Sequence, residues 1–183
     1  GSLIRPELTD VKCVLQILEA KDVSGQLFLS DTHKKVLQAL QQADYLSPKY
    51  HVVIANPPYM GGKGMNGRLG AWAKNNYPDS KSDLFAAFIE RGFDLIQNRG
   101  FNAMVTMESW MFLSSYENLR LKLVNCATIQ SMVHMPYLGK GGTSMGINFG
   151  TTAFITNKSS QSDYVSHYCY VRYFETDGYG VPK

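Results

Sequence analysis

Asn56, Pro57, Pro58 and Tyr59 stand together at the end of an apolar run, HVVIANPPY, over residues 51–59. Their types in that order point to one kind of chemistry. Two successive prolines stiffen the backbone and remove two N–H donors, which leaves the neighbouring carbonyls available as acceptors. Asn56 adds a side-chain carbonyl beside that of Pro57, and two acceptors can grip an NH2 group from two directions. Tyr59 adds a flat face on which an aromatic ring can stack. Such a set suits an exocyclic amine on a planar base, or a carboxamide NH2. A strand-ending turn, in which Asn56 caps and Tyr59 packs, accounts for the same four residues. Local chemistry leaves both readings open.

Other stretches carry weaker signals. Residues 62–67 (GKGMNG) formally match GxGxxG, but they follow the prolines instead of leaving a strand directly. No acidic residue ends a second strand about twenty residues on, so a dinucleotide site is not indicated. Lys63 is followed by Gly64, which excludes a Walker loop. The segment reads as a loop, and so does glycine-rich 139–144. His134 ends a predicted strand with no visible partner and reads as structural. Tyr164, Tyr168, Tyr170 and Tyr173 fit an aromatic platform or, equally, a half-buried edge strand.

The elements that must position these residues follow from periodicity. Apolar spacing predicts helices over 8–20, with Val11, Val14, Leu15 and Leu18 on one face, and over 31–43, with Asp31 as N-cap. The run 50–55 reads as a strand covered on both faces. A long loop is expected over 60–78, with one helical turn near 69–75. Ser82 or Asp83 then caps a strong helix that stops at 98–100, where Gly100 would supply a left-handed turn. A strand over 101–107 follows, then a helix opened by capping-box spacing at 114–117, and a strand over 129–135. The end of the chain, 150–156 and 164–174, reads as two antiparallel strands joined by a turn at 158–162. The expected fold class is α/β: a mixed sheet with a parallel centre and an antiparallel edge hairpin, in one domain over 1–183.

Composition narrows the setting. Hydrophobic residues make up 44% of the 183, charged residues 18%, and the net charge is +3, with no Lys/Arg block. That describes a globular, mildly basic domain, and electrostatics alone argue for no polyanion partner. Cys13, Cys126 and Cys169 are far apart, with no CxxC, so no zinc site or disulfide framework is expected and a reducing, cytoplasmic setting fits. No apolar run approaches the roughly 20 residues that span a bilayer.

An NPPY motif after a strand resembles the catalytic motif of amino-group methyltransferases that use S-adenosylmethionine. The stretch from Tyr59 through Ile96, YMGGKGMNGRLGAWAKNNYPDSKSDLFAAFIERGFDLI, is similar to one branch of them. That branch is the adenine-specific DNA methyltransferases of the PglX type, from BREX phage defence, related to fused restriction-modification enzymes. Leu3-Ile4 with the two residues before them, MVTMESWMFLSS at 104–115 and NFGTTAFI at 148–155 extend the likeness over nearly the whole chain.

The resemblance implies the C-terminal part of a Rossmann-like methyltransferase fold. It implies S-adenosylmethionine as cofactor in the full-length enzyme, and double-stranded DNA with a flipped adenine as partner, together with other defence-system subunits. Asn56 and the Pro57 carbonyl would bind the target amine, with Pro58 stiffening the turn. Tyr59 would stack on the flipped base, and Phe149 matches the position of a second aromatic against it. Lys63 and Arg68 become candidates for a DNA-contacting loop, and Asp83 or Lys81 for facing the cofactor.

Two departures stand out. His51 occupies a position where the family has Asp, at the strand end remote from the site. Only 55 residues precede Asn56, and none reads as the glycine-rich cofactor turn, nor does a target recognition module follow. The chain is therefore expected to be an internal piece of a longer enzyme, inactive by itself. Two alternatives remain: methylation of a protein glutamine, whose carboxamide NPPY also serves, and a non-catalytic DNA-binding or assembly module.

Overall fold

The computed structural model describes residues 3–6, 10–23, 27–136 and 149–171. The glycine-rich segment 139–144 and Tyr173 lie outside them. Two units can be distinguished, 1–49 and 50–183.

The first unit is a pair of helices, α1 (Val11–Glu19) and α2 (Leu27–Leu46). Asp10 caps α1 by accepting from the Cys13 N–H at 3.1 Å. Val11 and Leu40 are buried, and the His33 ring donates to the Leu18 carbonyl at 2.7 Å. Two expectations change here. Val14 is exposed, because the inward stripe runs through Val11, Leu15 and Leu18. Asp31 lies inside α2 instead of capping it, since the helix already starts at Leu27.

The second unit is built on a five-stranded mixed sheet. Its elements run β1 (Tyr50–Ala55), α3 (Gly67–Asn76), α4 (Leu84–Leu95), β2 (Ile96–Met107), α5 (Glu117–Cys126), β3 (Thr128–Met135), β4 (Thr151–Asn157) and β5 (His167–Tyr170). Short 3-10 turns cover Glu108–Met111 and Ser114–Tyr116. Across the sheet the order is β1-β2-β4-β3-β5. β1 and β2 are parallel, β4 runs antiparallel to both β2 and β3, and β5 is parallel to β3. The mixed α/β sheet is as expected, but its centre is antiparallel and its two edges are parallel, the reverse of the expected arrangement, because β4 enters between β2 and β3 and the last strand pairs elsewhere. β5 lies on β3, while β4 fills the gap between β2 and β3, so no hairpin joins β4 to β5.

Helices α4 and α5 supply the core of one sheet face: Phe85, Ala86, Ile89, Leu119 and Leu123 pack with Met104, Met132 and Phe154. The opposite face carries Val52, Ile54, Phe101, Val105, Val133 and Ile155, all exposed, with Ile54 at 78%. The strand β1 is thus an edge strand with one covered face, through Val53 and Ala55, and one open face. A continuous apolar run could not distinguish these cases, because β-branched residues occupy both faces alike.

Three local readings are also revised. Residues 60–78 hold a full helix, α3, capped by Asn66, whose Oδ1 accepts from the Leu69 N–H at 2.8 Å. The left-handed residue after α4 is Arg99, with φ 63°, in a bulge of β2 opposite His51, not Gly100. Gly100 is needed for closeness, since a Cβ there would lie 3.0 Å from the His51 carbonyl oxygen. The capping box at 114–117 does not form: Tyr116 is the N-cap of α5 and makes no side-chain cap bond.

Candidate active site at the carboxyl edge of the sheet

The register brings distant residues to one edge. Ala55 pairs with Met104, so β2 runs three residues further, to Met107, which faces Thr151 of β4; Thr151 in turn faces Met135 of β3. The end of β1, the end of β2 and the start of β4 therefore share an edge, and Asn56 to Tyr59, Glu108, and Phe149-Gly150 emerge there. In open α/β sheets this carboxyl edge is where ligands bind.

Asn56 and Pro58 are exposed, Pro57 is buried and Tyr59 is half-buried. The Tyr59 hydroxyl can donate to Asn56 Oδ1 at 3.0 Å or to the Val105 carbonyl at 3.1 Å. An amide oxygen has two acceptor sites, so this bond orients Asn56 and leaves one site for another donor. Among the described residues, none donates to the Pro57 carbonyl. The Tyr59 ring meets Phe149 edge-to-face at 5.2 Å and Phe85 at 6.2 Å. Burial pushes the Tyr59 phenol above its ordinary 10.0, so it remains a protonated donor.

Behind this segment lies Asp83, the N-cap of α4. Its Oδ1 accepts from the Met60 N–H at 2.9 Å and the Phe85 N–H at 3.3 Å. Asp83 is only 8% exposed, so it packs beneath the loop and does not open onto the sheet edge. Burial raises its carboxyl pKa, against the lowering effect of its backbone donors. Tyr116 is pushed up to about 12 by burial and by the nearby Asp83.

Against Gly150 there is a second polar group that the sequence reading missed. His134 Nε2 lies 2.5 Å from Glu108 Oε2. The His134 ring also contacts Phe112 at 5.8 Å and Tyr170 at 5.2 Å. His134 therefore has a partner, contrary to expectation; the partner is 26 positions away and only sheet pairing could reveal it. Glu108 packs directly on Gly150: a Cβ there would lie 2.1 Å from Glu108 Cδ. Its N–H donates to the Gly150 carbonyl at 2.9 Å.

Asn56, Tyr59 and Phe149 are thus brought together. Lys63 and Arg68 are exposed, Lys63 in the turn after the motif and Arg68 in the first turn of α3. Among the described residues neither makes a hydrogen bond or ion pair with the Asn56–Tyr59 group. His51 is exposed at the start of β1, at the opposite end of that strand from Asn56.

This sheet recurs in solved structures. One is the ATP-dependent Type ISP restriction-modification enzyme LlaBIII bound to DNA, with TM-score 0.52, 17% identity, and coverage of 76% of this chain and 11% of that one. Another is DrdV in a complex with DNA, with TM-score 0.51, 18% identity, and coverage of 74% and 16%. At these identities the likeness defines the fold alone: a mixed α/β sheet that also occurs in a restriction-modification enzyme. The particular family follows from sequence. Residues 11–139 match the Eco57I restriction-modification methylase family, and the chain belongs to it. It is 43% identical over 167 residues to the adenine-specific methyltransferase BrxX of Escherichia coli O9:H4 (strain HS), covering 90% of this chain. It is 35% identical over 179 residues to the adenine-specific methyltransferase PglX of Lacticaseibacillus casei (strain Zhang), covering 92%. The chain spans 14% of the length of each of these relatives. Among the described residues no helix is long and apolar enough to cross a membrane.

Proposed function

We propose that this chain is the target-binding part of an adenine-specific DNA methyltransferase domain, which methylates the 6-amino group of adenine in duplex DNA and serves phage defence or restriction-modification beside other subunits of such a system. The observation that carries this is the convergence of Asn56 Oδ1 and the Tyr59 and Phe149 rings at one sheet edge, with Pro57 next to Asn56 in the chain.

The cofactor, S-adenosylmethionine, supplies an electrophilic methyl group when bound. Of the described residues, Asn56 and Pro57 fit its reacting end, since both present acceptors at the strand terminus. Two helices and no strand precede β1 among the described residues.

Asn56 and Pro57 act on the target. Each accepts one N–H bond from the amino group, which turns the nitrogen lone pair out of the ring plane and aims it at the methyl carbon. Alignment of this kind supplies much of the rate. No strong base is needed, because the methylated nitrogen sheds its proton to the same acceptors or to water. A base flipped out of the duplex parts Tyr59 from Phe149 and stacks against Tyr59.

The test uses the full-length enzyme with a radiolabelled methyl donor, offered duplex DNA and, separately, a glutamine-bearing protein substrate. Label recovered in N6-methyladenine supports the reading; label in protein glutamine alone, or none, sinks it. Lys63 and Arg68 extend the proposal to the flanking phosphates. Their joint replacement by alanine should weaken duplex binding and reduce the salt slope of log K by about two, one per lost contact. An unchanged slope removes them from the interface.

A further inference from the structure

We propose that Asp83 is a positioning residue for the target amine, one whose single carboxylate oxygen fixes Tyr59 from both sides. The inference rests on the reading of Asn56 to Tyr59 as the target site. An ordinary N-cap accepts from the N–H groups of its own helix. Asp83 does that at Phe85, and with the same Oδ1 it also accepts from Met60, the residue directly after Tyr59. The two anchored backbone points bracket the phenol. Met60 continues the chain from Tyr59, and the fully buried ring of Phe85 is one of the two rings that Tyr59 rests against.

The surrounding backbone is tied in the same place. The Leu84 N–H donates to the Met60 carbonyl at 3.1 Å and the Gly62 N–H to the Ser82 carbonyl at 3.0 Å. Gly61 bridges Asp83, and a Cβ on Gly61 would lie 3.4 Å from Asp83 Oδ2. The turn after the motif is thereby held against the start of α4 through residues 60–62 and 82–84. A carboxylate is costly to bury unless donors meet it, and these donors do so. Through Tyr59 the clamp reaches the chemistry: the phenol bonds Asn56 Oδ1, so a shift of Tyr59 carries the amide acceptor with it.

The experiment compares Asp83→Ala, Asp83→Ser and Asp83→Asn in the full-length enzyme. Serine keeps a helix cap but is too short to hold Met60 as well, so it separates helix stability from the clamp and stands in if the alanine variant fails to fold. The readouts are kcat, cofactor Kd, and deuterium uptake at the Met60 amide. Asp83→Ala and Asp83→Ser should lower kcat by about 10- to 100-fold, the scale expected for an ångström of misplacement. Cofactor Kd should stay within about twofold, since the lost contact acts on target alignment and not on ground-state cofactor binding. Uptake at Met60 should rise. Asparagine keeps the acceptor oxygen and should restore both kcat and protection to within roughly threefold.

A wild-type kcat in Asp83→Ser overturns the proposal. So does a parallel loss of cofactor affinity, which would assign Asp83 to the cofactor, or an asparagine variant as poor as serine. A wild-type enzyme that methylates no DNA would refute the function proposed above. Uptake at Met60 would still report whether the clamp exists.

Discussion

The two aromatic walls of the proposed site are held in different ways. Tyr59 is placed by its own neighbourhood: Asn56 lies three positions before it, Met60 follows it, and Asp83 secures that short segment from below. Phe149 is placed by the sheet. The next residue, Gly150, meets the backbone and carboxylate of Glu108 from the end of β2, and that carboxylate pairs with His134 of β3, whose ring touches Tyr170 of β5. One wall is built from a contiguous motif, the other from three strands folded together. A motif can announce a site, but only the topology completes it.

The sharpest way to break this comparison is at the motif. Asn56→Ala in the full-length enzyme removes one of the two acceptors for the target nitrogen and leaves the walls in place. Loss of a single preorganised hydrogen-bonding group at a reacting atom costs about 100- to 1,000-fold in kcat, and that is the expected loss here. Cofactor and duplex affinity should change little. If the variant keeps full biological activity, the non-catalytic reading takes over.

The second wall is tested at Gly150. No side chain fits there while Glu108 stays in place, so Gly150→Ala must displace the carboxylate and strain its pairing with His134. Overpacking of this kind costs about 1–3 kcal/mol, readable as a lower denaturation midpoint. A loss of activity of about tenfold should accompany it as Phe149 shifts, smaller than at Asn56 because no reacting group is lost. The double variant Gly150→Ala with Glu108→Ala sharpens the point. The two changes should be strongly non-additive, since removing the carboxylate makes room for the methyl group. Additive effects would mean that Glu108 does not mediate the strain.

The same contrast explains what the sequence disclosed. NPPY could be picked out as a candidate because its groups are local, two acceptors, a stiff turn and a ring within four positions, although those residues alone left a strand-ending turn open. The cap of α4 was narrowed to Ser82 or Asp83 by the apolar helical face that follows, yet the bond from Asp83 to Met60 was not legible, because it spans 23 positions of loop and helix. Phe149 came only through family likeness, since nothing in NFG identifies an aromatic wall. The Glu108–His134 pair and the insertion of β4 between β2 and β3 depend on which strands become neighbours, and periodicity carries no such information. The open face of β1 was misread for the related reason that Val52 and Ile54 are as apolar as the half-buried Val53 side.

The smallest effect is expected at the atom that links the motif to the sheet. Tyr59→Phe keeps the ring against Phe149 and Phe85 but removes the hydroxyl that bonds Asn56 Oδ1 and the Val105 carbonyl. Asn56 then loses an orienting donor worth about 1 kcal/mol, which corresponds to a fall in kcat of roughly three- to tenfold. The pH dependence distinguishes this role from acid–base chemistry. Burial raises the phenol above its ordinary 10.0, so across neutral and mildly alkaline pH it stays protonated and keeps donating. Its ionisation would begin only above that range, and the hydrogen bond would be lost there, not below. The rate profiles of wild type and Tyr59→Phe should therefore superimpose, apart from a constant factor, up to about pH 9. A decline in the wild type at lower pH that vanishes in the phenylalanine variant would make Tyr59 a titrating participant instead of a fixed donor.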